Sequence, residues 1–345
     1  MSAKAFGVEL FQYTDAHEVL RDALLAEELG FASVWLGDSQ LLWREVYVLL
    51  GAVAARTERI ALATGVTNPL TRHPSVTASA AATLQELSGG RAILGIGAGF
   101  TAVRMLGWSP ASRAMLTRFV SDVRALCEGE PVAGESGELR LAFGAPGRCP
   151  PIVLAAAGPR MLRLAGEIAD GVIVQGRCAP DATLGAMIAE VRAGRRAAGR
   201  ESGRFLITSA AAAAVHADRR KALDAVKSFV SAQLLNPLWP VSDAARQARD
   251  GVRAAYGYAG HMSPETAARF ASAIPDEVVP EFALAGTPEE CRAQARALFA
   301  AGIDEITLRP YAVDGESRGA MMETLARELV EPLRGSCEGG LACEP

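Results

Sequence analysis

Short apolar runs alternate with amphipathic helical patterns from one end of the chain to the other, and this alternation restricts the fold more than any other feature. A strand that is apolar on both faces needs cover on both, and a helix between successive parallel strands provides it. Eight such βα units fit within the 345 residues, which predicts an α/β fold of the (β/α)8 TIM-barrel type. The strands are expected at 6–11, 33–38, 60–66, 92–99, 152–157, 171–175, 205–215 and 305–308.

Helix boundaries support this division. Asp15 is a candidate N-cap for a first helix that stops at Gly30, and Pro159 suits the first position of the helix after the fifth strand. Thr287-Pro288-Glu289-Glu290 reads as a helix start, Gly302 as its end, and a final helix is expected over about 321–333. Three segments break the rhythm: a Gly- and Pro-rich stretch over 130–150 that suggests a small hairpin, a helical insertion after the seventh strand over about 221–273, and a flexible tail over 335–345. The expected organisation is one barrel domain over 1–334.

Composition narrows the function. Half the residues are apolar but only 6% are aromatic, so the core is built of Ala, Val, Leu and Ile. A net charge of −4 without a long basic run argues against nucleic acid as a partner. No apolar run approaches the roughly 20 residues that a membrane helix needs. The six cysteines contain no CxxC pair and read as reduced thiols, which suggests a cytoplasmic protein.

In an α/β barrel the ligand sits at the C-terminal ends of the strands. Those ends carry Glu9, Asp38-Ser39, Thr64-Gly65-Val66-Thr67, Gly97-Ala98-Gly99, Ala156-Ala157-Gly158 and Gln175-Gly176. Small residues at so many strand ends suit a flat ligand approached by backbone. Gly158-Pro159-Arg160 offers free N–H groups and a cation at a helix start, a candidate phosphate site. Glu9 and Asp38 are acids on strands built for burial, and each either transfers protons or pairs with an interior arginine. Trp43, Phe100, Trp108 and Trp239 are available as substrate walls.

Other chemistries lack their parts. His17, His73, His216 and His261 are scattered without HxH or HExxH spacing, so no metal site is expected, and His73 before Pro74 reads as a structural loop residue. No GxSxG elbow occurs. The run Gly95-Ile96-Gly97-Ala98-Gly99 is like a dinucleotide fingerprint, but the next helix begins too late for one.

The run Thr64-Gly65-Val66-Thr67-Asn68-Pro69, then Arg72-His73-Pro74, Thr83-Leu84-Gln85-Glu86-Leu87-Ser88-Gly89-Gly90-Arg91 and Gly95-Ile96-Gly97-Ala98-Gly99, resembles the bacterial luciferase-like monooxygenases and their deazaflavin-dependent branch. Within that branch it looks most like methylenetetrahydromethanopterin reductase. Gly7-Val8-Glu9, Trp35-Leu36-Gly37-Asp38, Ala157-Gly158-Pro159 and Gly286-Thr287-Pro288-Glu289 extend the likeness over nearly the whole barrel.

The resemblance implies coenzyme F420 (8-hydroxy-5-deazaflavin) in the barrel mouth, against a bulge after the third strand with a non-prolyl cis peptide at Gly65-Val66. It further implies cofactor contacts from Asp38, Gly97 to Gly99 and Ala157-Gly158, and a homodimer. Two positions depart from the pterin reductases: Phe100 stands where they carry an acid, and Ser39-Gln40 where many relatives have histidine. The cofactor carries the hydride, so a barrel of this kind can keep it and change its substrate.

The expected function is hydride transfer between F420 and a small molecule or peptide with a C=C, C=N or C=O bond, assisted by Glu9 or Asp38. An FMN-dependent monooxygenase is the alternative, and a cofactor-binding protein without catalysis a third reading.

Overall fold

The computed structural model describes residues 4–135, 137–235, 238–255, 270 and 272–334. Eight parallel strands close into a barrel: β1 (Ala5–Leu10), β2 (Ser33–Leu36), β3 (Ala61–Thr64), β4 (Ala92–Ile96), β7 (Ile152–Ala156), β8 (Gly171–Val174), β9 (Leu206–Val215) and β11 (Glu305–Pro310). Between β4 and β7, β5 (Val132–Gly134) and β6 (Gly137–Leu139) form the antiparallel hairpin expected within 130–150. Closure comes from β9, which pairs with β8 over Leu206 to Ser209 and with β11 over Thr208 to Ala213.

One strand escaped the sequence reading. β10 (Ala283–Gly286) lies parallel to the second half of β9, Ala283 opposite Ala212 and Gly286 opposite Val215. The four residues Ala-Leu-Ala-Gly just before a helix cap are too few to show a periodicity, so only pairing identifies them as a strand. Most strands also stop earlier than expected, β2 at Leu36, β3 at Thr64 and β4 at Ile96, because the chain turns away once it reaches the barrel mouth. β11 is the exception and runs two residues longer, through Arg309 and Pro310.

The helices begin and end where local chemistry allows. Asp15 accepts from the N–H groups of His17 and Glu18 at 2.9 and 3.0 Å and opens the helix Ala16–Glu28. Thr287 and Glu290 form a reciprocal capping box on Pro288–Ala301, which ends at Gly302 with φ +110°. His73 caps Pro74–Leu87 from its ring nitrogen, a structural role. Among the described residues the helical insertion after β9 includes the helices Arg219–Leu234 and Asp243–Ala255. Part of its remainder, 256–269, and the tail 335–345 lie outside the described residues.

Alternation along each strand divides the core in two. Phe6, Val8 and Leu10 join the large apolar layer between barrel and helices. The opposite face fills the barrel with Trp35, Ala61, Ala63, Ile93, Val153 and Ile173, one large ring among small neighbours. Lower down, Glu305 Oε1 accepts from Ser33 Oγ at 2.9 Å, Thr307 Oγ1 at 3.1 Å and Trp35 Nε1 at 3.2 Å. Gly7 leaves room for this polar knot, since a Cβ there would lie 2.3 Å from Ser33 Oγ.

Candidate active site

The mouth of the barrel has two unlike halves. Over β3, β4, β7 and β8 its floor is small-residue backbone: Gly65, Val66, Ala98, Gly99, Ala157 and Gly158 are half-buried, and Gln175 and Gly176 are exposed. Over β1 and β11 it is packed with side chains.

The first half is shaped by a bulge. After Thr64 the chain leaves the ladder through a cis Gly65–Val66 peptide and returns at Thr67, whose N–H donates to Gly95 O at 3.0 Å. Gly97 N–H in turn donates to Thr67 O at 2.8 Å, and Thr64 Oγ1 donates to Gly95 O at 2.8 Å. Glycines in and just after β4 are required by this approach: a Cβ on Gly95 would sit 2.0 Å from Thr64 O, and one on Gly97 2.8 Å from Val66 Cγ2. Gly99, at φ +86°, turns the chain into the short helix Thr101–Arg104.

Asp38 lies against the bulge and is fully engaged. Its Oδ2 accepts from Thr67 Oγ1 at 2.7 Å and Arg72 Nε at 2.8 Å, and its Oδ1 from Arg72 Nη2 at 3.2 Å. Arg72 also pairs with Glu45 and lies 4.8 Å from the Tyr47 ring centre. Burial opposes the Arg72 charge, but hydrogen bonds and the charges of Asp38 and Glu45 outweigh it and raise its pKa. Ser39, buried beside Asp38, shares a 2.8 Å hydrogen bond with Thr101 Oγ1 and ties the β2 and β4 loops together.

At the end of β7, Ala156 is buried and Gly158 opens the helix Pro159–Ile168 without a side-chain cap, leaving its first turn available to a ligand. Trp239, from the insertion, donates Nε1–H to Ala157 O at 2.5 Å. Arg160 is exposed and borders a surface cavity of about 280 Å³ with Arg113, Arg163, Glu167 and Glu190, on the flank of the helix. Phe100 is 40% exposed on the rim, and Trp108 is 51% exposed beyond it.

The second half centres on Glu9. Its Oε2 accepts from Arg309 Nη2 at 2.5 Å, both side chains being buried. Burial raises the Glu9 pKa, with the charge and hydrogen bond of Arg309 working against it. The Arg309 guanidinium lies 4.0 Å from the ring centre of Phe11 and 4.8 Å from that of Phe229, on the insertion helix. Trp43 stacks on Phe11 with ring centres 4.6 Å apart. Burial lifts the Tyr311 hydroxyl to about 12, so it is neutral at physiological pH.

Both acids singled out from sequence are thus ion-paired, and the structure brings Glu9, Trp43, Arg309 and Phe229 together at one side of the mouth. Sequence reasoning missed Arg309 because the last strand was ended at Leu308. Arg309 shares its interior parity with Glu305 and Thr307, the same signal that marked Glu9. Phe229 carried no signal of its own among the apolar positions of its helix. Among the described residues no cluster of three His, Cys, Asp or Glu side chains could hold a metal, and no helix is long and apolar enough to cross a membrane.

Known proteins share this architecture. The 5,10-methylenetetrahydromethanopterin reductase of Methanolobus tindarius is 31% identical over 316 residues, covering 87% of this chain and 92% of that protein. The F420-dependent glucose-6-phosphate dehydrogenase of Nakamurella multipartita is 36% identical over 195 residues, 52% of this chain and 58% of the enzyme. The solved coenzyme F420-dependent tetrahydromethanopterin reductase of Methanopyrus kandleri superposes with a TM-score of 0.78 at 24% identity, over 96% of this chain and 99% of that one. The luciferase-like monooxygenase family matches residues 2–305. The chain belongs to the luciferase-like monooxygenase family.

Proposed function

We propose that the protein is a coenzyme F420-dependent oxidoreductase that moves a hydride between the deazaflavin and a small organic substrate with a C=C, C=N or C=O bond. The observation that carries this reading is the division of the mouth: a side-chain-poor floor beside a buried acid. The floor of Gly65, Val66, Ala98, Gly99, Ala157 and Gly158 fits a planar ring system, because backbone there can come close to a ligand face. The likeness to reductases and dehydrogenases of the same family supports the activity.

When bound, the deazaflavin supplies or accepts the hydride. The protein binds and orients. Thr64, Gly65, Val66 and Thr67 form the bulge that would hold the ring; Asp38 braces it through Thr67, and Ser39 ties the adjoining loop to Thr101. Gly97, Ala98, Gly99, Gln175 and Gly176 would add further contacts to the ring. Ala156, Ala157, Gly158 and Pro159 at the helix start would hold the cofactor phosphate, with Arg160 the nearest cation along the chain. Trp43, Phe100 and Trp239 wall the substrate space.

Of the two acids, Glu9 is the one for proton transfer, since Asp38 gives both oxygens to Arg72 and Thr67 as a bracket for the bulge. Glu9 would hold or take up a proton at its carboxyl.

A homodimer completes the reading. The helix Val46–Ala54 has no charged residue, and Val48 on its outer face is 71% exposed; Val76 on the neighbouring helix is 51% exposed. An apolar surface of this kind suits a second copy of the chain. The four described cysteines are free thiols, in keeping with a cytoplasmic location.

The test is a fluorescence titration of the purified protein with oxidised F420 and, separately, with FMN. Saturable binding of F420 in preference to FMN is the expected result. Preference for FMN would overturn the assignment in favour of oxygen-dependent chemistry.

A further inference from the structure

Glu9 and Arg309 are neighbours across the seam where the barrel's first and last strands meet, one step beyond the paired Val8 and Leu308. Arg309 is held from two directions: Phe11 follows it on the β1 side, and Phe229 comes from the insertion helix Arg219–Leu234. A guanidinium placed against two aromatic rings and a carboxylate has its plane fixed, which an ammonium cannot reproduce. The carboxylate it grips is fixed in turn.

We propose that Arg309 is a positioning residue for Glu9, setting the orientation and charge of that carboxylate, and that through Phe229 it joins the acid to the insertion helix Arg219–Leu234. The proposal rests on the reading of Glu9 as the proton-transferring group.

The groups facing Glu9 are few. β11 contributes Arg309 and, just after its end, Tyr311; the segment after β1 contributes Tyr13; β2 contributes only the uncharged Trp35 opposite Glu9 in register. The insertion helix brings Phe229 to Arg309 and Ser228 to Tyr311, while its Lys227 is committed to Asp224 and Asp276 at 2.7 and 2.9 Å. Both tyrosines are held neutral by burial, so among the described residues the charge that acts to keep Glu9 ionised is that of Arg309.

The experiment is an infrared pH titration of the Glu9 carboxyl in the full chain, isolated as the difference between the protein and E9Q, and repeated in R309M and R309K. Loss of the cation removes the one influence opposing burial, so the midpoint of Glu9 is expected to move to higher pH in R309M and by less in R309K. Should R309M fail to fold, R309K carries the test alone. An unchanged midpoint in the variant that folds would overturn the proposal. Fluorescence titration with F420 should give unchanged affinity in the same variants; a parallel loss of affinity would make Arg309 a general structural residue and also overturn it. The E9Q turnover assay tests the reading of Glu9 separately, so the two can fail independently.

Discussion

Thr67 donates a 2.7 Å hydrogen bond from Oγ1 to Asp38 Oδ2, and through it the end of the second strand holds the bulge that follows the third. Arg72 grips the same carboxylate from the other side. Asp38→Ala would leave Arg72 with Glu45 alone and Thr67 without its acceptor. It should cost about 2 kcal/mol, less than a fully enclosed pair because Arg72 is partly exposed and keeps one partner. Urea unfolding measures the loss, and F420 affinity should fall with it; affinity equal to wild type would show that the bulge stands without Asp38.

Gly95→Ala tests the bulge from the other strand. The new Cβ would meet Thr64 O at 2.0 Å, a backbone atom that cannot rotate away. A loss of about 1–3 kcal/mol is expected. Gly185→Ala is the control, since nothing lies within 4 Å of a Cβ there and it sits inside the helix Ala182–Ala197. That change should stabilise by about 0.5–1 kcal/mol.

Glu9→Gln keeps the size of the side chain and an acceptor for Arg309 but removes the proton. Turnover of F420 with a hydride acceptor should fall by about 10²-fold or more, with little change in F420 affinity. Steady-state kinetics beside a binding titration separates the two, and unchanged turnover would remove Glu9 from the chemistry.

Glu305 predicts a pH dependence of stability. Burial raises its pKa, outweighing the hydrogen bonds from Ser33, Thr307 and Trp35. Below the ordinary carboxyl value of about 4.5 both folded and unfolded chains hold the proton and Glu305 contributes nothing to the slope. Above it the unfolded chain releases the proton first, so stability falls as pH rises toward the folded-state value. Glu305→Gln lacks this decline. Urea midpoints compared from pH 4 upward, about the start of the carboxyl range, should therefore diverge in favour of the variant, whereas parallel curves would contradict a raised pKa for Glu305.

Val48→Glu places a charge on the uncharged outer face of the helix Val46–Ala54. Sedimentation velocity should find wild type as a dimer and this variant as a monomer with an unaltered circular dichroism spectrum. A wild-type monomer would refute the dimer directly.

The chain order of this barrel was open to reading because each element is encoded locally. Apolar runs made strands, Asp15 and the Thr287–Glu290 box opened helices, Gly30 and Gly302 closed them, and the glycines of 95–99 marked a place where backbone comes close. β10 and the true length of β11 were not open to it, since a four-residue stretch or two extra residues acquire meaning only beside β9.

The partners of the two acids belong wholly to the tertiary structure. Glu9 meets Arg309 at a separation of 300 residues because the barrel closes its first strand on its last, and Asp38 meets Arg72 because the bulge bends the chain back over the second strand. A sequence specifies which side chains face the barrel interior by their parity along each strand. Which of them touch is decided by closure and register, and these depend on all eight strands at once.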